Sequence, residues 1–257
     1  MTHRILASTT SHKREALPST LEAFARLGLC DLDVNLHHVL ELGESVETVA
    51  GITARNGQHI RVVSGGWCDF FHGPEKDDET FRSVDQQVRI ASQLGAAMIR
   101  LFFGRLPATS YDAAARATIV ANLQRLSDEH RDTTCVFENH DGASLVPDIC
   151  RDVLGAVDRP NIRMNFDPIN FVRAGVDPAL ALDAVEPWIA HMHLKGIDNG
   201  EFCEFGKGDV DLAPLLRRLI QRGYSGDFTV EYEGRFDGTL RLYESVERAR
   251  RVIATLR

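Results

Sequence analysis

The sequence predicts an α/β fold, a single (β/α)8 TIM barrel spanning residues 1–257, on three observations. Short Val/Ile/Leu-rich runs alternate with amphipathic segments along the whole chain, there are eight such runs, and no Pro/Gly/Ser-rich or charged linker interrupts them. Strict alternation implies a parallel sheet with right-handed crossovers, which leaves an open doubly wound sheet or a closed barrel. Eight strands in 257 residues, close to the about 250 usual for the closed form, select the barrel.

The elements follow in order. Strands are expected at 4–7 and 32–36, separated by a helix that stops at Gly28, and at 59–63 after a helix that stops at Gly57. Phe81, Val84, Val88, Ala91 and Leu94 then recur at steps of three and four, the stripe of a helix ending at Gly95. A strand at 97–102 precedes the stripe Ala115, Ile119, Leu123 and Leu126; the next strand, at 134–137, leads to a helix stopped by Gly155. Strands at 162–166 and 189–194 follow, then a helix with Asp211 as N-cap, Pro214 in its first turn, Leu212, Leu215 and Leu219 on one face, and Gly223 at its end. The last strand, at 228–231, gives way to Tyr243, Val246, Ala249, Ile253 and Leu256 on the closing helix.

Composition narrows the function. Lys plus Arg number 29 against 37 Asp plus Glu, a net charge of −8, which argues against the clustered basic face of a nucleic-acid binder. No apolar run reaches the about 18 residues of a membrane span, and Met1-Thr2-His3-Arg4 opens the chain without the apolar stretch of a secretory signal. A cytoplasmic protein is expected. The five cysteines, Cys30, Cys68, Cys135, Cys150 and Cys203, are odd in number and form no C-x-x-C pair, so neither a disulfide framework nor a thiolate zinc site is expected. Any metal would be held by imidazole and carboxylate.

In a closed barrel the reacting groups come from the C-terminal ends of several strands. Four strands of the second half end on ionisable residues at matching depth: Glu138, Asp167, His193 and Glu231, each about one strand–helix unit from the next. Three carboxylates and one imidazole suit Mn²⁺ first, with Mg²⁺, Co²⁺ or Zn²⁺ also accommodated. One divalent ion is therefore the expected cofactor.

The segments Glu138-Asn139-His140-Asp141-Gly142, Asp167-Pro168-Ile169-Asn170-Phe171, His191-Met192-His193-Leu194-Lys195, Gly206-Lys207-Gly208-Asp209-Val210-Asp211 and Val230-Glu231-Tyr232-Glu233 together resemble the sugar phosphate isomerase/epimerase group of xylose-isomerase-like TIM barrels. The resemblance spans nearly the whole chain. It implies one divalent metal on the residues matching Glu138, Asp167, His193 and Glu231. Several ketose epimerases of the group carry His three residues after the Asp, where this chain has Asn170. Endonuclease IV shares the superfamily, but its extra histidines and basic DNA face are missing here.

The expected activity is metal-dependent isomerisation or epimerisation of a keto sugar or related polyol through an enediolate, with Glu138 and Glu231 removing and returning a proton. His140, two residues beyond Glu138, is a candidate further acid/base or hydroxyl anchor. Trp67, Arg100, Asn170, Lys195 and Lys207 are candidate substrate contacts: Trp67 to stack on a sugar face, Arg100 to reach the site or bridge Glu138, Lys195 to polarise an oxygen or neutralise a carboxylate, Lys207 to meet a phosphate. His191 and Glu233 are read as outer supports of His193 and Glu231. The same enediolate can expel a β-hydroxyl, so a dehydratase of an inosose or dehydroshikimate-like substrate is the alternative, and a noncatalytic metal-binding accessory subunit is the third. The partner expected is a small molecule, with no nucleic acid and no membrane; a homo-oligomer is allowed, not required.

Overall fold

The computed structural model describes residues 3–72, 74–235 and 238–256; Met1 and Thr2 of the expected polar N-terminus lie outside them. Ten strands are formed: β1 Ile5–Ser8, β2 Asp31–Asn35, β3 His59–Ser64, β4 Met98–Leu101, β5 Thr134–Glu138, β6 Ile162–Phe166, β7 Ile189–Leu194, β8 Gly196–Asp198, β9 Glu201–Cys203 and β10 Asp227–Val230. Eight of them close a parallel barrel in the order β1-β10-β7-β6-β5-β4-β3-β2, while β8 and β9 pair as an antiparallel hairpin. The helices are α1 Leu17–Arg26, α2 His37–Leu40, α3 Val46–Asn56, α4 Pro74–Gln93, α5 Ala113–Glu129, α6 Pro147–Val157, α7 Pro168–Arg173, α8 Pro178–Val185, α9 Ala213–Gln221 and α10 Gly238–Thr255. Each barrel strand is thus followed by a long helix, and the short α2 and α7 extend the loops above β2 and β6.

The apolar stripes read from the sequence are the faces that meet the barrel. Phe81, Val84, Val88, Ala91 and Leu94 of α4 and its C-terminal turn are all buried, as are Ile119, Leu123 and Leu126 of α5, whereas Ala115 is only partly covered. Burying a side chain of this size stabilises by about 1.5–3 kcal/mol, so each stripe is ample to dock its helix.

Four of the five expected glycine stops hold, with Gly28, Gly57, Gly95 and Gly223 at φ 71°, 64°, 79° and 95°. Gly155 does not stop its helix. It lies inside α6, which continues to Val157 and ends on Asp158 in the left-handed region. A Cβ at Gly155 would stand 3.5 Å from the Trp188 ring, so the glycine sits under a close aromatic neighbour rather than at a turn. Asp211 is displaced by one residue from the expected role. Leu212 is the N-cap of α9, and Asp211 Oδ1 accepts the Ala213 N–H at 2.9 Å. The hairpin β8–β9, not anticipated, turns on Asn199 and Gly200 at φ 49° and 81°, the left-handed pair that a two-residue hairpin loop demands.

Candidate metal centre

Register fixes where the strand ends deliver their side chains. Residues two apart on a strand share a face, so Asn165 and Asp167, His191 and His193, and Thr229 and Glu231 form ranks across neighbouring strands, with His193 beside Thr229 and Glu138 beside Asn165. Glu138 closes β5, Asp167 follows β6 as the N-cap of α7, and Glu231 follows β10. β5, β6, β7 and β10 are consecutive around the barrel, which brings the four together.

Glu138, Asp167, His193 and Glu231 are buried and offer ligand atoms that all lie within 4.8 Å of one another. His193 Nδ1 is 3.3 Å from Glu138 Oε1 and 3.3 Å from Glu231 Oε2. Although these contacts are within ion-pair range, His193 Nδ1 and Asp167 Oδ2 make no hydrogen bond of good geometry. Buried polar atoms of that kind are costly unless something else engages them. With three hard oxygens and one nitrogen converging, the residues fit a divalent cation, and Glu138, Asp167, His193 and Glu231 would hold it.

The surrounding residues orient the ligands. Asp167 Oδ1 accepts the N–H groups of Ile169 and Asn170 at 2.9 and 3.1 Å, leaving Oδ2 for the centre. The Asn139 side chain grips the Asp167 backbone from both sides, donating to its carbonyl at 2.7 Å and accepting its N–H at 2.9 Å. Asn170 Nδ2 donates to Glu138 Oε1 at 3.1 Å. Arg100 Nε stands 3.2 Å from Glu138 Oε2, and the Ser8 hydroxyl donates to Glu231 Oε1 at 3.3 Å.

Lys195 is buried and fully engaged. Its Nζ pairs with Glu231 Oε2 at 2.7 Å and Asp167 Oδ2 at 3.1 Å and donates a hydrogen bond to Glu233 Oε1 at 2.7 Å. Charge states follow from this packing. Burial alone would raise Glu138 and Glu231, but His193 with Arg100, and His193 with Lys195, outweigh it and hold both carboxyls below the usual range. Burial would lower His193 and Lys195, yet the facing carboxylates raise both. For Asp167 burial prevails over Lys195 and the carboxyl is raised.

A cavity of about 400 Å³ opens onto the centre; Trp67, Arg100, Glu138, His140, Lys195 and Glu231 are among the residues that line it. Trp67 is 44% exposed, stacked on Phe102 at 4.4 Å and edge-on to His140 at 5.3 Å. His140 Nδ1 lies 3.1 Å from Asp141 Oδ2. Asn170 reaches the centre through Glu138 rather than the cavity wall. Lys207 is not brought there: it is paired with Glu204 at 2.7 Å, and its loop is pressed against β8, where a Cβ on Gly208 would meet the Ile197 carbonyl at 2.1 Å. His191 donates to or accepts from Thr229 Oγ1 at 2.8 Å.

Three contributors were not singled out in the sequence: Asn139, Ser8 and Asp33. Asp33 is a fully buried carboxylate inside β2, and a charged residue between Leu32 and Val34 within a strand is the signal that would have found it.

The fold and the site together define a closed (β/α)8 barrel with a candidate metal-binding cluster on the second half of its strands. The chain belongs to the xylose isomerase-like TIM barrel family, whose model matches residues 21–256. It is similar to inosose dehydratase of Lacticaseibacillus casei, with 26% identity over 210 residues, 68% of this chain and 70% of that one. It is also similar to 3-dehydroshikimate dehydratase of Bacillus anthracis, with 23% identity over 129 residues. That second match spans 49% of this chain and 46% of the relative. Among solved structures, the IOLI protein with a bound zinc atom superposes with a TM-score of 0.83 at 15% identity, covering 100% of this chain and 99% of that one; at that identity the likeness is one of fold.

Proposed function

We propose that the chain is a divalent-metal-dependent isomerase or epimerase of a keto sugar or related polyol. The observation that carries this reading is the approach of Glu138 and Glu231, from two different strands, to the same His193 nitrogen at 3.3 Å each. Two carboxylates flank one point, and the cavity opens onto it. Glu138, Asp167, His193 and Glu231 would hold a divalent ion, which would supply Lewis acidity to a carbonyl and its neighbouring hydroxyl.

The protein's own residues carry the proton. Lys195, 2.7 Å from Glu231, and Arg100, 3.2 Å from Glu138, favour the ionised carboxylates, the state a general base needs. One glutamate removes the proton from the carbon beside the carbonyl, and the other returns one, to the opposite face in an epimerisation or to the neighbouring carbon in an isomerisation. His140, on the cavity wall, is placed to relay a proton to a substrate hydroxyl.

A second reading, loss of water from an inosose or dehydroshikimate-like substrate, draws on the unequal hold on the two glutamates. Glu138 is held on both oxygens, by Arg100 and Asn170, while Glu231 is held on Oε2 by Lys195 and has Oε1 against the rotatable Ser8 hydroxyl at 3.3 Å. In elimination one residue, Glu231, takes the proton beside the carbonyl and hands it to the β-hydroxyl, which departs as water as the C–O bond breaks, and both curated relatives named above are dehydratases.

Incubating the metal-reconstituted chain in D₂O with a ketose, a keto-inositol and dehydroshikimate, read by NMR and mass spectrometry, tests both. Deuterium entering recovered substrate or its isomer, abolished by Glu138→Gln and by Glu231→Gln, is the expected result. Full activity in either variant sinks the two-base assignment. Water loss dependent on Glu231 replaces the first reading with the second, and absence of exchange and of water loss across the panel removes both.

A further inference from the structure

Asp33 lies within β2, 0% exposed, with Oδ2 3.5 Å from His193 Nε2. Neither oxygen of Asp33 and neither nitrogen of His193 has a hydrogen bond of good geometry among the described residues. An ionised carboxylate in a barrel interior costs several kcal/mol unless a donor or a cation faces it, and the ring of His193 presents that donor. Its Nδ1 turns toward Glu138 and Glu231 at 3.3 Å, and its Nε2 turns toward Asp33.

We infer that Asp33 is the positioning residue of the metal centre: it accepts the Nε2–H of His193, fixing the tautomer that leaves Nδ1 bare toward Glu138, Asp167 and Glu231. The inference rests on the metal-centre reading above. A histidine gives one nitrogen to a metal, and the hydrogen bond at the other decides which. The neighbouring His191 does not compete for this role, because its Nε2 is engaged by Thr229 Oγ1 at 2.8 Å. That contact occupies His191 Nε2 alone, and because Asp33, His191 and His193 offer atoms within 4.8 Å of one another, a second ion on those three is the competing arrangement, told apart by the number of ions bound.

The experiment is a Zn²⁺ titration of the full chain against a chromophoric chelator, for wild type, Asp33→Asn and Asp33→Ala. Circular dichroism and thermal unfolding identify folded variants. In parallel, ¹⁵N-edited NMR records the His193 Nε2–H, assigned with His193→Gln. Wild type is expected to bind one ion and to show a slowly exchanging, low-field Nε2–H signal. Asp33→Ala should lose about 10–100-fold in affinity together with that signal. Asp33→Asn, near-isosteric and retaining one acceptor oxygen, should fall between and keep a shifted signal. Unchanged affinity and an unchanged signal in the folded Asp33→Asn variant overturn the inference alone, as does binding of two ions per chain. A wild-type chain that binds no ion overturns the metal-centre reading, and the positioning role with it.

Discussion

Arg100 Nε lies 3.2 Å from Glu138 Oε2, with side-chain exposures of 6% and 2%. Arg100 also donates to the Gly65 carbonyl at 3.2 Å, so its guanidinium ties β4 to the loop after β3 while facing the β5 carboxylate. Removing one member of a buried pair leaves the other charge uncompensated, at about 3–5 kcal/mol. Arg100→Met is therefore expected to lower the unfolding free energy from urea titration by that amount, and Arg100→Met/Glu138→Gln to recover much of it. Equal stability of wild type and Arg100→Met would show that solvent or Lys195 already compensates Glu138.

Loading with metal should stabilise the fold. An ion at one hundred times its Kd contributes about 2.7 kcal/mol, which in a domain of this size raises Tm by roughly 5–10 °C. Asp167→Asn is the clean control, because asparagine keeps an oxygen for the N–H groups of Ile169 and Asn170 while weakening the ligand. Scanning calorimetry with Mn²⁺ or Zn²⁺ should show the rise in wild type and little of it in Asp167→Asn; identical rises in both place the ion elsewhere.

Lys195 and a divalent ion draw on the same oxygens, Asp167 Oδ2 and Glu231 Oε2. Lys195→Met is expected to lower the metal-free Tm, since three carboxylates lose their shared cation, and to enlarge the increment that metal restores. A metal increment equal to that of wild type means that the ammonium and the ion do not compete.

His38, buried in α2, predicts a pH dependence. Burial pulls its imidazole below the ordinary 6.5. The unfolded chain then takes up this proton at higher pH than the folded one, so stability falls as pH drops below about 6.5 and the loss levels off below the folded pKa. Between pH 7 and pH 5 the urea midpoint of wild type should fall more steeply than that of His38→Phe. Parallel curves assign the pH dependence to other groups.

The barrel was legible because its periodicity is redundant: every helix stripe and nearly every glycine stop repeats the same message, and the expected strands lie within two residues of the observed ones. Glu138, Asp167, His193 and Glu231 were legible as a set because each falls at a strand end. Lys207 was not, since Glu204, the partner that takes it from the cavity, is a contact made by folding rather than by spacing. Gly155 misled because a glycine beneath an aromatic ring and a glycine at a helix stop look alike until Trp188 is in place. The Asn199-Gly200 pair did carry a hairpin signal, overshadowed by the longer alternation around it. Asp33 and Asn139 act across strands, through His193 and through the backbone of Asp167, and such cross-strand partners have no local period.

The centre draws its candidate ligands from β5, β6, β7 and β10, one unbroken arc of the barrel, while Thr10, Asn35, His37, Gly66 and Trp67 bring one side of the cavity wall from the end of β2 and the segments after β1, β2 and β3. The two halves of the chain are interlocked, because Ser8, Asp33 and Arg100 of the first reach Glu231, His193 and Glu138 of the second. Exchanging the first hundred residues between barrels of this kind would change the cavity wall and the supports of the candidate ligands together, so a substrate range acquired by recombination is expected to keep its chemistry where Ser8, Asp33 and Arg100 are carried along.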